Sequence, residues 1–173
     1  MPGSHRLRVI GFRRRWGCEE RGWTQEGFSR LVWEKLLGGR RHGRILECAC
    51  GGGLIGSLGW WLGKNAGWTA DCEEDRKGLQ TRLRVSRPAA KIHLSLAFLG
   101  GTGDDKIECF DLVTTRSSLD ASRLFRMMRR EDRGPVLVGI WNPSGRDLWS
   151  RRLAKLGYQL ALCRDRFEIY RKR

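Results

Sequence analysis

The stretch from Arg44 to Ser57 limits the possible folds of this chain more than any other part of the sequence. It reads RILECACGGGLIGS: a short apolar run ends at Glu47, small residues and three glycines follow, and a second apolar segment then begins. Glycine allows a positive φ and lets the backbone approach a ligand that a Cβ would block. This order is typical of the first strand, turn and helix of a nucleotide-binding α/β fold. The alternative is a tight strand-to-helix turn in an α/β protein that binds no nucleotide.

A second acidic position follows one strand later. Gly67 to Asp75 reads GWTADCEED, so a second predicted strand runs into an acidic cluster. An acid at the end of the second strand suits a ribose, whose two hydroxyls donate to a carboxylate. The alternative is a solvated turn whose carboxylates favour the N-terminus of the next helix. Both can hold together, with Glu74 facing a ligand and Asp75 capping the helix.

Several short motifs resemble those of S-adenosylmethionine-dependent methyltransferases of the FkbM type. They are, in chain order, Thr24-Gln25-Glu26-Gly27, the stretch Arg44 to Ser57, Gly67-Trp68 with Glu74 after it, and Arg82 or Arg87. Near the C-terminus, Leu156-Gly157-Tyr158 is similar to the family's turn into its last pair of strands. The resemblance covers roughly residues 24–172.

The resemblance implies S-adenosylmethionine as the cofactor, or no cofactor if the protein is catalytically degenerate. Glu47 and Gly53 match the family's first motif, and Glu74 matches its ribose-binding acid. The backbone from Cys50 to Gly53 is then expected to pass close to the methionine end. The predicted cofactor-binding residues are Glu47, Cys50, Gly51, Gly53 and Glu74. No catalytic residue is assigned.

The sequence also departs from the family's pattern. Ala49 stands where the first glycine is expected, and its methyl group would crowd the cofactor. Asp71 lies inside a strand that should be apolar. The family's acidic motif after the fourth strand is missing, because TTRSSLD follows the apolar run that ends at Val113. The resemblance therefore implies the fold more strongly than it implies catalysis.

Strands alternate with helices along the rest of the sequence. We predict a helix over Gln25 to Leu37, a first strand over Ile45 to Cys50 and a third over Lys91 to Leu96. Alternation of this kind predicts an α/β fold whose mostly parallel sheet is covered on both faces. We expect one Rossmann-like methyltransferase domain, residues 24–173, with seven strands closed by a C-terminal antiparallel hairpin. A basic N-terminal arm, residues 1–23, precedes it.

The charge is concentrated at the two ends of the chain. Residues 1–45 carry a net charge of +7, residues 46–115 carry −1, and residues 116–173 carry +9, out of +15 in total. Arginine predominates, and its planar guanidinium suits phosphate. A polyanion is the expected partner, and RNA is favoured because no DNA-reading motif is visible. The predicted RNA-binding residues are Arg6, Arg8, Arg13, Arg14, Arg15, Arg40, Arg41, Arg44, Arg171 and Arg173. The alternative is a biased composition with solvated charges.

The N-terminal arm has two interpretations. Its first 18 residues hold five arginines and no acid. Such a segment resembles a mitochondrial targeting sequence, although it is poor in serine. It could equally be a basic arm that a nucleic-acid partner orders. The expected location is therefore mitochondrial, with the cytoplasm as the alternative.

Other kinds of chemistry find little support in the sequence. The six cysteines form no C-x-x-C pair and only three histidines are present, so we expect no metal site. No run of 18 apolar residues predicts a membrane span. No Ser-His-Asp set or G-x-S-x-G motif is evident.

These observations leave three candidate functions. The favoured one is a catalytically degenerate methyltransferase-like protein that serves as a basic, RNA-associated structural component of a ribonucleoprotein such as a mitochondrial ribosome. The second is an active S-adenosylmethionine-dependent methyltransferase acting on RNA or a small molecule. The third is a protein–protein subunit of a large organellar complex, in which some of the eight tryptophans are interface anchors.

Overall fold

The computed structural model describes residues 26–50, 57–96, 99, 106–116, 118–131, 134–141, 146–164 and 167–173. The predicted arm, with Arg6, Arg8, Arg13, Arg14 and Arg15, lies outside the described residues, and so do Gly51 and Gly53.

Seven strands form a single sheet. They are β1 (Arg44–Cys48), β2 (Thr69–Glu73), β3 (Lys91–His93), β4 (Leu112–Thr115), β5 (Leu137–Trp141), β6 (Tyr158–Arg164) and β7 (Phe167–Lys172). The spatial order is β3-β2-β1-β4-β5-β7-β6. The first five strands are parallel, and β7 runs antiparallel to both β5 and β6. The predicted fold class is therefore confirmed, including the closing hairpin.

Helices cover both faces of this sheet. They are α1 (Glu26–Leu31), α2 (Leu58–Ala66), α3 (Lys77–Ser86), α4 (Ser118–Glu131) and α5 (Arg146–Lys155). Side chains of α1 and α2 pack on Ile45, Leu112 and Leu137. Side chains of α4 and α5 pack on the opposite face, against Val113 and Val138. Successive side chains of a strand point to opposite faces of the sheet, and helices bury both faces, so the strands contribute to two apolar layers. Within the described residues, no helix combines the length and the apolar character that crossing a membrane requires.

Several predicted elements differ in extent from the observed ones. The first strand, predicted over Ile45 to Cys50, is observed as Arg44–Cys48. The predicted helix over Gln25 to Leu37 is α-helical only to Leu31 and then continues as a π-helical turn, Val32–Leu36. The predicted third strand ends at His93 instead of Leu96, because the chain leaves the sheet there with Leu94 63% exposed. At a sheet edge only one neighbour fixes the strand, so tertiary packing decides where it stops.

The acidic residue inside β2 has partners from both neighbouring strands. The Asp71 carboxylate accepts a hydrogen bond from the Arg44 guanidinium at 2.9 Å and lies 3.3 Å from Nε2 of His93. Asp71 is 3% exposed. Since its charge is paired, the polar residue is compatible with a buried strand.

The parallel strands define two edges of the sheet. The carboxyl edge is formed by the strand ends at Cys48, Glu73 and Thr115, which lie side by side. The amino edge is formed by the strand starts at Arg44, Thr69, Leu112 and Leu137, with the end of β7 beside Leu137. Ligands of open parallel sheets bind at the carboxyl edge.

Candidate functional site

A buried carboxylate organises the carboxyl edge. Glu47 lies next to the last residue of β1 and is 4% exposed. Its carboxylate accepts hydrogen bonds from the Ser57 hydroxyl at 2.7 Å and from the Gly59 backbone N–H at 3.1 Å. Ser57 is the N-cap of α2 and also accepts a hydrogen bond from the Trp60 N–H at 2.9 Å. Glu47 therefore fixes the start of the helix that follows the glycine turn.

Arg87 completes this buried cluster. Its guanidinium donates to the Glu47 carboxylate and, at 2.9 Å, to the Ser57 hydroxyl. The side chains of Arg87 and Glu47 are only 4% and 5% exposed. Burial alone would raise the pKa of Glu47, but Arg87, Ser57 and Gly59 outweigh it, and the pKa lies below its ordinary value of 4.5. The carboxylate is ionised, and its charge is balanced within the protein.

The carboxylate of the predicted ribose acid, Glu74, is bonded to the N-cap residue of the next helix, α3. Its carboxylate accepts hydrogen bonds from Arg76 at Nε (2.7 Å), Nη2 (3.1 Å) and the backbone N (3.3 Å), and Glu74 is 1% exposed. The backbone N–H of Arg76, the N-cap of α3, is thus bonded to Glu74 and not to Asp75. The role of Glu74 toward a cofactor stays a prediction.

The preceding residue, Glu73, is a second candidate that sequence reasoning missed. Glu73 is the last residue of β2 and lies opposite Cys48, the last residue of β1. Its carboxylate accepts a hydrogen bond from the Ala49 backbone N–H at 3.3 Å. The carboxylate thus lies beside the backbone that leads into the glycine turn. The signal that could have found it is the exact end of β2, because the sequence predicts a second strand over Thr69 to Cys72 and the observed strand extends to Glu73.

The backbone after β1 has a conformation that glycine prefers. Ala49 has a φ of 54°, in the left-handed region. A non-glycine residue there costs about 1 kcal/mol or more. Ala49 stands where the family pattern has a glycine, and it has a left-handed conformation that glycine adopts without this strain.

Cys50 is the one other predicted cofactor residue that the structure describes. Its thiol donates to the Glu47 carbonyl at 2.7 Å, and Cys50 is 4% exposed. Burial, and then the neighbouring Cys72, raise the pKa of the Cys50 thiol well above 9. A thiol in this state is not a nucleophile. Sulfur atoms of Cys50 and Cys72 lie within 4.8 Å of the Glu47 carboxylate. Arg87 already neutralises that carboxylate, which disfavours a cation there.

The described RNA-binding candidates all lie at the amino edge. Arg44 begins β1, and Arg171 lies opposite Leu137 near the end of β7. The Arg40 guanidinium donates to the Asp111 carboxylate at 2.8 Å. The Arg171 guanidinium donates to the Leu36 carbonyl at 2.5 Å, which joins the end of β7 to the π-helical turn Val32–Leu36. Cofactor candidates and RNA candidates thus occupy opposite edges of one sheet.

Two tryptophans hold the loop of residues 37–43 at the amino edge. This loop precedes β1 and carries Arg40 and Arg41, and we call it the basic loop. The indole N–H groups of Trp33 and Trp68 both donate to the Arg40 carbonyl, at 2.9 Å and 3.0 Å. The sequence gives no signal for this arrangement, because the three residues are 7 and 28 positions apart. A cavity of about 470 Å³ opens beside this loop, and its lining includes Arg40, His42 and Thr69.

Comparisons with known proteins identify the fold. No protein-family model matches the chain, and no curated protein matches it in sequence. A TehB-like SAM-dependent methyltransferase from Corynebacterium glutamicum is similar in structure, with a TM-score of 0.59 and 15% identity, over 97% of this chain and 100% of that one. Precorrin-6y C5,15-methyltransferase from Geobacter metallireducens gives a TM-score of 0.60 at 13% identity, over 86% and 90%.

A pre-rRNA processing protein, fibrillarin from Methanococcus jannaschii, is also similar. Its TM-score is 0.57 at 12% identity, over 77% of this chain and 67% of that one. At these identities the comparisons show the Rossmann-like methyltransferase fold and leave activity to be argued from the site.

Proposed function

We propose that this chain binds S-adenosylmethionine at its carboxyl edge and associates with RNA. The observation that supports cofactor binding is the position of Glu73, at the end of β2 and beside the backbone that leaves β1. Association with RNA is supported by the net charge of +15 and by the arginines of the amino edge. Fibrillarin, named as a pre-rRNA processing protein, is a structural neighbour with an RNA-related role.

The described residues fit the adenosine half of the cofactor better than the methionine half. A carboxylate at the end of β2 is suited to accept hydrogen bonds from both ribose hydroxyls. In contrast, the Glu47 carboxylate already accepts from Ser57, Gly59 and Arg87, so little of it remains for a methionine ammonium group. The ion pair of Glu47 with Arg87 also supports the FkbM resemblance, which expects an arginine downstream of the first motif. S-adenosylmethionine supplies an electrophilic methyl group when it is bound.

A second candidate function is favoured by a specific arrangement. The RNA candidates lie at the edge opposite the cofactor candidates, and Ala49 occupies a glycine position. Both observations suit a protein that has kept the fold but no longer transfers methyl groups. Such a chain would be a structural component of a ribonucleoprotein, for instance a mitochondrial ribosome.

Replacing Glu73 by Gln tests the cofactor site. We expect the Glu73→Gln variant to bind S-adenosylmethionine about 10- to 100-fold more weakly, because a charge-assisted hydrogen bond contributes about 1.5–3 kcal/mol. The matched variant Glu74→Gln should lose affinity less, since that carboxylate lies against Arg76 and not beside the Ala49 backbone. Isothermal titration calorimetry with the purified chain measures both.

Three outcomes show which carboxylate binds the ribose and whether the protein binds the cofactor, transfers methyl groups or has a structural role. A larger loss in Glu74→Gln than in Glu73→Gln would make Glu74 the ribose acid, as the sequence predicts. Absence of heat with the parent chain up to millimolar cofactor would refute the binding proposal and leave the structural role. Transfer of a labelled methyl group to RNA by the parent chain would refute the structural role.

A further inference from the structure

The basic loop at the amino edge is held rigid by the fold. Its left-handed residues are Gly38, Gly39 and His42, with φ values of 61°, 68° and 61°. The Arg40 carbonyl is the shared acceptor of the Trp33 and Trp68 indole N–H groups. The His42 N–H donates to the Ala66 carbonyl at 3.0 Å. A loop fixed at these points loses little conformational entropy when a partner binds.

Contacts within the protein orient two arginine side chains at the amino edge, Arg40 in the loop and Arg44 at the start of β1. Arg40 is paired with Asp111, and its side chain remains 59% exposed. Arg44 is paired with Asp71, and its guanidinium lies 4.6 Å above the Phe110 ring. A guanidinium has five N–H donors, so the pairing of the exposed Arg40 with Asp111 leaves donors for a phosphate. Arg41 and Arg173 are exposed on the same edge.

We propose that the amino edge is an RNA-docking surface, on which the loop at Arg40–Arg41 and the C-terminal end of β7 bind phosphates of one RNA. The proposal rests on the RNA association of the proposed function and assigns its place. Phosphate is favoured over an acidic protein segment because planar guanidinium groups in a fixed loop suit its geometry.

The docked RNA lies away from the cofactor. β1 has five residues, so four steps of about 3.3 Å place its first and last Cα atoms roughly 13 Å apart. RNA phosphates at the amino edge and S-adenosylmethionine at the carboxyl edge therefore do not compete. Binding of one is expected to leave the affinity for the other unchanged.

Charge reversal at the amino edge provides the test. The variant with Arg41→Glu and Arg173→Glu is compared with a matched variant carrying Arg126→Glu and Arg129→Glu on the exposed side of α4. Binding of a fluorescent single-stranded RNA is followed by anisotropy at several salt concentrations. The amino-edge variant should lose about tenfold or more in affinity. Its salt slope should also fall by about 1.4, at about 0.7 per phosphate contact.

The variant Trp33→Phe separates positioning from charge. It removes one of the two indole N–H groups that hold the Arg40 carbonyl and keeps an aromatic ring. We expect weaker RNA binding with an unchanged salt slope, because the phosphate contacts remain and only the order of the loop is reduced.

Several results would overturn the proposal. Equal losses in the two charge-reversal variants would mean that RNA responds to net charge alone. Competition between RNA and S-adenosylmethionine would place the RNA at the carboxyl edge. Binding to anionic lipid vesicles but not to RNA would identify a membrane surface as the partner. Calorimetry of S-adenosylmethionine on the same variants should give the parent affinity, so a failed cofactor site is recognised separately.

Discussion

Replacing Arg87 by Met is expected to lower the free energy of unfolding by about 3–5 kcal/mol. The change leaves the Glu47 carboxylate buried without its cation, with only Ser57 and Gly59 as hydrogen-bond donors. Met has a similar length and stays apolar, so the packing around the 4%-exposed Arg87 side chain is largely kept. Denaturation by urea, followed by tryptophan fluorescence, measures the difference.

The matched control removes both charges. The double variant with Glu47→Gln and Arg87→Met should recover part of the loss, since a buried ion pair is costly to break and less costly to replace. If the single and double variants are equally unstable, the loss comes from packing and not from an unpaired charge.

The dependence of stability on pH gives an independent check, because it should have opposite signs in the parent chain and in the Arg87→Met variant. In the parent chain the pKa of Glu47 lies below 4.5, so its contribution to stability is present above that pH and is lost as the pH falls through the folded pKa. In the Arg87→Met variant burial should dominate and raise the pKa of Glu47. Stability should then rise as the pH is lowered from 7 toward 5. A parallel pH profile in both proteins would contradict the ion-pair account.

Replacing Gly43 by Ala should cost about 1–3 kcal/mol of stability. A Cβ at Gly43 would lie 2.7–2.8 Å from three ring atoms of Trp68. Trp68 is 4% exposed, and its indole N–H is bonded to the Arg40 carbonyl, so the ring cannot move without breaking that contact. The variant should therefore also bind RNA more weakly. Thermal and urea unfolding, together with RNA anisotropy, report the two effects.

A second glycine provides the control for this substitution. Gly78 lies in α3, and a Cβ added there would meet no atom within 4 Å. Gly78→Ala should raise stability by up to about 1 kcal/mol, because alanine favours the helix. Equal losses in the two variants would show that Gly43 is not limited by the Trp68 ring.

Much of the fold could be predicted from local patterns. Apolar runs bounded by glycine and acidic residues indicate the strands, and Leu156-Gly157-Tyr158 marks the start of the hairpin, where Gly157 has a φ of 81°. These features depend on residues that are close in sequence, so their periodicity and turn chemistry are visible without the structure. Glu47, near the end of the first strand, was predicted in the same way.

The details of the candidate site depend on contacts between distant residues. Whether Glu73 or Glu74 contacts the Ala49 backbone is decided by the last residue of β2, and strand ends are set by tertiary packing. The choice of Arg87 over Arg82 as the partner of Glu47 requires residues 40 positions apart to meet. The contacts of the Trp33 and Trp68 indole N–H groups with the Arg40 carbonyl likewise depend on tertiary structure and not on a local pattern.

The pairing of Asp71 has a consequence for how the strands find their alignment. Asp71 lies opposite Leu46 of β1 and Lys91 of β3. A slip of β2 by one residue would move every side chain of the strand to the other face of the sheet. It would also separate the Asp71 carboxylate from Arg44 and His93 and leave a buried charge unpaired, at a cost of several kcal/mol. An apolar residue at this position would tolerate the slip better, so Asp71 works against misregistered sheets during folding.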